Sequence, residues 1–182
     1  MRKLGTPAAL MAFAMLAAAG TANAQAATVL KPVQVGVALG GAMPLGDFGK
    51  SFNAGYNLTG TLGVNPAGMP IGFRFDAAYN QFGAKGTTKV NVKIAGVSAN
   101  LVTNLASADM MPYLIGGAGY YRESASLTGI GSVASNHLGF NAGAGVNIPL
   151  TGFAMFIEAR YNRISANGGS TSFLPVTVGV KF

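Results

Sequence analysis

His137-Leu-Gly-Phe-Asn-Ala-Gly-Ala-Gly-Val-Asn-Ile148 shows the cleanest two-residue alternation in the chain. Apolar side chains occupy every second position of this segment, and mainly glycine and asparagine occupy the positions between them. Alternation of this kind is typical of a β-strand with one apolar face and one open or polar face. The segment therefore predicts a strand that separates two different environments.

Seven other segments show a similar alternation, with lengths near the roughly 9–11 residues that a tilted strand needs to cross a bilayer. In order, the eight predicted strands are 33–43, 56–65, 71–82, 90–104, 112–123, 137–148, 153–164 and 173–182. The fourth changes phase, because Val92 and Ile94 share one parity while Val97 has the other, so we expect a β-bulge at Gly96. The even count predicts an all-β fold, an eight-stranded antiparallel transmembrane β-barrel.

The connections between these strands alternate in length. Residues 65–70, 106–111 and 149–152 form short connections, and residues 44–55, 83–89, 124–136 and 165–172 form mostly longer ones rich in Gly, Ser and Thr. Membrane barrels keep short turns in the periplasm and longer loops outside. We therefore expect the N-terminus in the periplasm. Two aromatic belts are also expected, an outward one at Tyr56, Tyr79, Phe82, Tyr121, Tyr161 and Phe173 and a periplasmic one at Tyr113, Phe153 and Phe182.

The first two dozen residues have the pattern of a cleavable signal peptide. Arg2 and Lys3 precede an apolar stretch at 8–19, and Ala22-Asn23-Ala24 supplies the small residues of a cleavage site. The predicted organisation is a signal peptide at 1–24 followed by one barrel domain at 25–182. Export across the inner membrane follows from this prediction.

Composition agrees with a membrane barrel. Only 9% of the residues are charged and 50% are hydrophobic, whereas soluble domains carry about 25% charged residues. The sequence after Ala24 has no apolar run long enough for a membrane helix. Its basic residues are scattered singly, so we expect no nucleic-acid binding. With no cysteine, one histidine and no acidic cluster, we expect no metal and no cofactor.

Several short motifs resemble a known family. They are Gly36-Val-Ala-Leu-Gly-Gly-Ala-Met-Pro-Leu-Gly-Asp-Phe-Gly49, Pro112-Tyr-Leu-Ile-Gly-Gly-Ala-Gly-Tyr-Tyr121, Asn141-Ala-Gly-Ala-Gly-Val146 and Glu158-Ala-Arg-Tyr161. The chain is similar to the small outer membrane protein β-barrel family, which includes opacity, OmpX and OmpA-like eight-stranded barrels. The resemblance implies a location in the bacterial outer membrane. It also implies that Phe182 is a signal for the barrel assembly machinery.

Six charged residues share the parity that we assign to the lumen: Arg74, Asp76, Arg122, Glu158, Arg160 and Lys181. Buried charges are costly unless they are paired, so one interpretation is a network of ion pairs that fills the barrel. The other is an ion-selective constriction. Eight strands leave an interior just wide enough for side chains to fill, which favours the network.

Other polar residues belong to the predicted outward end. Lys50, Lys85, Lys89 and Arg163 lie in or beside the longer loops and are candidates for contacts with lipopolysaccharide phosphates. His137 follows Ser135 and Asn136, but no carboxylate is nearby in sequence to complete a catalytic group. We therefore expect a rim residue at this position and no enzyme activity.

The expected function is an integral outer-membrane barrel with a structural or surface-interaction role, in adhesion or in the envelope. Its expected partners are outer-membrane lipid, lipopolysaccharide, the barrel assembly machinery and a surface ligand bound by the loops. Two alternatives remain at this point. One is a narrow porin-like channel for small solutes or apolar molecules, and the other is an enzyme that modifies lipid A.

Overall fold

The computed structural model describes residues 31–86, 90–105, 110–127, 131–166 and 169–182. They form eight strands and one short helix. The strands are β1 (Val33–Leu45), β2 (Gly55–Val64), β3 (Ile71–Gly83), β4 (Val90–Asn104), β5 (Met111–Leu127), β6 (Gly131–Pro149), β7 (Ala154–Ala166) and β8 (Gly169–Lys181), and the helix is α1 (Gly46–Ser51). The predicted signal peptide lies outside the described residues. No helix in the described part of the chain is long and apolar enough to cross a membrane.

The strands close into a single antiparallel barrel, each pairing with the next and β8 pairing with β1. A path of directly paired residues that begins at Val35 and crosses every strand in turn returns to β1 at Leu45, ten residues further along. This stagger means that the strands are tilted relative to the barrel axis. The predicted eight-stranded antiparallel barrel is confirmed.

One end of the barrel carries the chain termini of the sheet, and we call it the terminal end. There Val35 and Phe182 exchange two backbone hydrogen bonds, with N···O distances of 3.2 and 2.8 Å. The opposite end, which we call the loop end, carries α1 and the connections 84–89, 128–130 and 167–168. The two ends therefore divide the connections as the sequence pattern predicts.

Side chains alternate between the outside and the lumen along every strand. On β1, Val33, Val35, Val37 and Leu39 are exposed, while Gly36 and Ala38 between them are buried. The sequence assigns the two faces correctly in most strands. In β5 the assignment is wrong, because Tyr113, Ile115 and Tyr121 are buried in the lumen and Arg122 is exposed on the outside.

The expected bulge in β4 is also absent. The pairing of β4 with β3 runs without interruption from Gly83↔Asn91 to Ile71↔Thr103 and passes Gly96 in register with Ala78. Val92 and Ile94 instead face the lumen, where both are buried. The apparent change of phase in the sequence marks a lumen whose loop-end part is apolar.

The aromatic residues sort differently from the prediction. Phe82, Tyr121, Phe173 and Tyr113 lie inside the barrel and are almost fully buried, so they belong to neither belt. On the outside, a ring of aromatic side chains near the loop end is formed by Tyr56, Tyr79, Tyr120, Phe140 and Tyr161. At the terminal end, the rings of Phe153 and Phe182 lie 6.1 Å apart.

Two of the predicted long loops are mostly strand. β5 continues to Leu127 and β6 begins at Gly131, so residues 124–136 form a long hairpin. Likewise β7 runs to Ala166 and β8 begins at Gly169 within the predicted loop 165–172. Thr is favoured in strands and Ser is not among the residues depleted from them, so the polar composition of these segments did not exclude strands.

Glycines on the lumen face leave room for the large interior side chains. At Gly145, an added Cβ would overlap the ring and hydroxyl of Tyr113. We expect Gly145→Ala to lower the free energy of unfolding by about 1–3 kcal/mol, the usual cost of overpacking a filled interior. The measurement is the urea midpoint of the refolded protein, followed by gel migration with and without heating. Gly41→Ala is the matched control, since its nearest neighbour would be the Gly55 carbonyl oxygen at 3.9 Å, and equal midpoints for the two variants would contradict the prediction.

Candidate functional site

Two arginines and two carboxylates share one layer of the lumen. Arg74 and Asp76 project inward from β3, and Glu158 and Arg160 project inward from β7 on the other side of the barrel. Their exposed fractions are between 3% and 8%. We call these four residues the charge layer. Two positive and two negative side chains make it neutral.

Each guanidinium of the charge layer contacts both carboxylates. Arg74 Nη2 donates to both oxygens of Glu158 at 2.9 and 2.7 Å, and Arg74 Nε lies 3.1 Å from Asp76 Oδ1. Arg160 Nη1 donates to Asp76 Oδ2 at 2.8 Å, and Arg160 Nε donates to Glu158 Oε1 at 2.9 Å. Signs therefore alternate around the layer, so attraction dominates over repulsion at these distances.

Neutral side chains donate further hydrogen bonds to the two carboxylates. Tyr113 donates its hydroxyl to Glu158 Oε2 at 2.8 Å, and Asn100 Nδ2 donates to Asp76 Oδ2 at 2.8 Å. Charge-assisted hydrogen bonds such as these are stronger than neutral ones. They offset part of the cost of removing the carboxylates from water.

A layer of asparagines lies between the charge layer and the loop end. Asn57 Nδ2 donates to Asn80 Oδ1 at 2.8 Å, and Asn141 Nδ2 donates to Asn100 Oδ1 at 2.8 Å. A polar cavity of about 30 Å³ lies beside them. A buried water needs about 10–15 Å³ of such volume, so the cavity has space for one or two waters and no room for a solute.

The loop end of the lumen is closed by apolar side chains. Ala42, Phe82, Val92, Ile94, Tyr121, Ile164 and Phe173 form one buried cluster, which we call the apolar plug. Phe48 and Phe52, at and just after α1, pack on it, with the Phe48 ring 5.0 Å from the Phe82 ring. The sequence favoured a network of ion pairs that fills the barrel, and for this end of the lumen that interpretation is wrong.

At the terminal end, Lys181 fills the lumen with its charged side chain. Its Nζ donates to Asn147 Oδ1 at 2.9 Å. The same atom lies 4.5 Å from the centre of the Phe156 ring and 4.9 Å from that of Tyr113. Ring faces attract a cation at these distances, so Lys181 has partners without a carboxylate.

Of the six charged residues assigned to the lumen, the structure places five there: Arg74, Asp76, Glu158, Arg160 and Lys181. Arg122 is the exception. It is paired with Ala95 and Asn136 and faces outward. The parity of β5 was ambiguous because large apolar side chains occur on both of its faces. Gly117 and Gly119 indicate which face of β5 points into the lumen, since lumen-facing positions of the neighbouring β6 are also glycine.

The basic residues of the loop end differ in their surroundings. Lys50 donates to Asp47 within α1 at 2.8 Å and lowers the pKa of that carboxyl by hydrogen bonding and charge. Lys85 donates to the Gly49 carbonyl oxygen at 2.6 Å. Arg163 is exposed on the outer face of β7. Lys89 lies outside the described residues.

The outward faces of the described strands carry three cations and no carboxylate. Lys93, Arg122 and Arg163 are all near the loop end. Arg122 and Arg163 each follow an outward-facing tyrosine, Tyr120 or Tyr161, by two residues on the same strand. A basic ring therefore lies just beyond the aromatic ring.

His137 is closer to a carboxylate than the sequence suggests. Its register partner is Tyr121, and Glu123, two residues further along the same face of β5, pairs with Ser135. The Thr171 hydroxyl lies 3.4 Å from Glu123 Oε2, which indicates a weak hydrogen bond. These side chains form a polar rim around the mouth of the barrel.

The β5–β6 hairpin extends beyond the rest of the loop end. β6 pairs with β5 from Gly131 to Asn147, but its pairing with β7 begins only at Gly139↔Ile164. The edge of residues 131–138 that faces β7 is therefore not paired with any described strand. Val133 and Leu138 on this segment are 74% and 70% exposed.

Comparison with known proteins agrees with this geometry. Residues 10–182 match the model of the outer membrane protein beta-barrel domain. The chain belongs to this family. It is therefore a protein of the bacterial outer membrane, and its strands are transmembrane strands. No curated protein sequence gives a significant match to this chain.

Solved structures of other barrels show the same fold. Neisserial surface protein A superposes with a TM-score of 0.67 at 17% identity, covering 83% of this chain and 96% of its own. A major outer membrane protein from Thermus thermophilus gives 0.56 at 13% identity, covering 84% and 99%. Ail, the attachment invasion locus protein of Yersinia pestis, gives 0.52 at 19% identity, covering 84% and 100%. At these identities the likeness concerns the fold alone.

Glu158 accepts more hydrogen bonds than Asp76, five against three. Glu158→Gln removes one negative charge from beside Arg74 and Arg160, and leaves two guanidiniums to share Asp76. Breaking a buried ion pair costs about 3–5 kcal/mol, so we expect the urea midpoint of the barrel to fall markedly. Asp47→Asn is the matched control, because the Asp47–Lys50 pair is 93% and 80% exposed and exposed pairs contribute little. An unchanged midpoint for Glu158→Gln would mean that the charge layer does not stabilise the barrel.

Proposed function

We propose that the protein is a closed outer-membrane barrel with a structural or surface-interaction role and that its loop end faces the outside of the cell. The observation that carries this proposal is the filled lumen. The apolar plug, the asparagines and the charge layer occupy it at successive heights. Because the described part of the lumen leaves no path for solutes, such a barrel contacts partners through its outer surface and its loop end.

The nature of the filling also supports a structural role. A selective constriction holds an ion weakly enough to release it, whereas the charge layer pairs every one of its charges with an internal partner. The apolar plug adds a second barrier, since water is disfavoured among aromatic and aliphatic side chains. Transport would require rearrangement at both levels.

The narrow channel is the alternative that this proposal opposes, and conductance separates the two. We expect the protein to give no single-channel steps above the lipid baseline in planar bilayers. Phe82→Ala, which opens the apolar plug, should remain at the baseline because the charge layer is still closed. Regular steps from the unmodified protein would favour the channel. Ile164→Ala, which also leaves a cavity in the apolar plug, is the matched control for folding.

The β5–β6 hairpin is the feature best suited to contact another molecule. Its free β6 edge exposes backbone N–H and C=O groups, and an extended chain can add to such an edge as a further strand. Natural proteins usually protect exposed edges with lysine or proline. Residues 131–138 contain neither. We assign surface interaction to this edge for that reason.

Charge on the edge tests this assignment. We expect Val133→Lys to reduce adhesion of the producing cells to their target surface, because a lysine on the edge opposes strand addition. Adhesion is counted against cells carrying Ser126→Lys, a hairpin substitution on the covered strand β5. Heat-modifiable gel migration checks that both variants form the barrel. Equal adhesion by the two variants, or no adhesion difference from cells lacking the protein, would reject the edge as the contact site and leave an envelope role.

Three further assignments belong to the same proposal. Lys50, Lys85, Lys89 and Arg163 contribute to the contacts with lipopolysaccharide, although Lys50 and Lys85 already have internal partners. Phe182 directs recognition by the barrel assembly machinery. We assign no catalysis to the polar rim around His137, and mass spectrometry of lipid A from producing cells tests that assignment directly.

A further inference from the structure

Two cations lie side by side on the outer face of the barrel. Ala95 pairs directly with Arg122, and Lys93 is the next outward-facing residue along β4. Lys93 and Arg122 are therefore diagonal neighbours on adjacent strands, with a separation of about 7–8 Å. Like charges at this distance repel each other unless an anion lies between them. No carboxylate of the described strands shares this face.

An amide completes the set of donors at this position. Gln81 on β3 pairs directly with Lys93. Its Oε1 accepts hydrogen bonds from the hydroxyls of Tyr56 at 3.2 Å and Tyr79 at 3.1 Å. Because the oxygen is occupied by the tyrosines, the amide N–H groups of Gln81 remain to donate beside Lys93. An ammonium, a guanidinium and an amide thus border one patch at the level just beyond the aromatic ring.

A groove runs from this patch toward the middle of the membrane. It has a volume of about 470 Å³ and is lined by small residues from three strands, Ala95, Ala77 and Gly60, between larger side chains. Tyr79 and Leu58 border one side, and Val97 and Tyr120 border the other; Arg122 lines its loop end. A second apolar groove of about 840 Å³ shares Gly60, Ala77, Val97 and Tyr120 and continues it past Ala99 and Ala118.

We propose that this surface is a binding site for a phosphate-bearing acyl lipid of the outer leaflet, with its phosphate on Lys93 and Arg122 and one acyl chain in the groove of Ala95, Ala77 and Gly60. Charge and shape both support this occupant. Lys and Arg are the preferred donors to phosphate, and an apolar groove open to the bilayer accepts a hydrocarbon chain. The inference rests on the proposed orientation, with the loop end outside, and deepens its lipid contacts.

Another groove of the outer surface offers an internal comparison. It has a volume of about 600 Å³, extends from Ile71 on β3 to Leu174 on β8, and is also lined by small outward residues, Ala142, Ala144 and Ala159. It includes no cationic residue in its lining. Arg163 lies near it singly, without a neighbouring cation among the described strands. The site on β2 to β5 is distinguished by the combination of a cation pair and a groove.

Native mass spectrometry of the purified, detergent-solubilised barrel tests the site. The probe is bisphosphorylated lipid A, with dephosphorylated lipid A and inorganic phosphate as the other two arms. We expect one tightly held lipid A per barrel. The double variant Lys93→Gln/Arg122→Gln should weaken its binding at least about tenfold, because charge-assisted hydrogen bonds contribute about 1.5–3 kcal/mol each and 1.4 kcal/mol is tenfold. Ala95→Leu, which fills the groove and leaves both charges, should also weaken it.

Variants away from the site provide the controls. Lys31→Gln removes an exposed charge at the terminal end, and Ala144→Leu fills the comparison groove, and neither should change the affinity. Equal losses from Lys31→Gln and from the double variant would show diffuse attraction in place of a site. Equal binding of dephosphorylated lipid A, or displacement by inorganic phosphate, would also overturn the proposal. If lipid A is retained with the loop end shown by protease treatment of cells to face inward, the proposed orientation fails and this site does not.

Discussion

The charge layer is the interaction on which the interior of this barrel depends. A ring of eight strands leaves a space that side chains can just fill, and here four charged groups meet across it from β3 and β7. Any one of them alone would be a costly buried charge. Together they form a neutral layer in which each guanidinium contacts both carboxylates. The layer therefore links opposite sides of the barrel that share no backbone hydrogen bonds.

The other interior layers follow from this one. Tyr113 donates a hydrogen bond to Glu158 and Asn100 donates one to Asp76, and Asn100 accepts a hydrogen bond from Asn141. Toward the loop end the described lumen is filled by the apolar plug, with Glu123 at the rim beyond it, and Phe48 brings α1 over the plug. Polar and apolar fillings thus have separate heights. The lumen is closed because polar and charged side chains fill one height and apolar side chains fill the other.

The sequence predicted the barrel because strand parity is a local property. Alternation and connection length together indicated eight strands, the closed order and five lumen charges. For β5 the two-residue alternation alone did not decide the face, because Tyr113 and Leu114 suit either environment. The glycines at 117 and 119 and the register with β4 and β6 decide it. The β5–β6 hairpin was missed for a related reason. Residues 124–136 include Thr128, Ile130 and Val133, which favour strands, beside Ser, Gly and Asn, which are common in loops, so composition did not decide between the two.

The orientation of β5, opposite to the predicted one, changes the charge of both the lumen and the outer surface. With Arg122 inside, the lumen would hold four basic and two acidic side chains, and the added guanidinium would have no carboxylate to share. With Arg122 outside, the charge layer remains neutral and Lys181 is the only further cation among the described lumen residues. The same residue, Arg122, then lies beside Lys93, two positions beyond Tyr120, where we propose that a lipid phosphate binds. The same orientation of β5 therefore keeps the charge layer neutral and places Arg122 beside Lys93 on the outer surface.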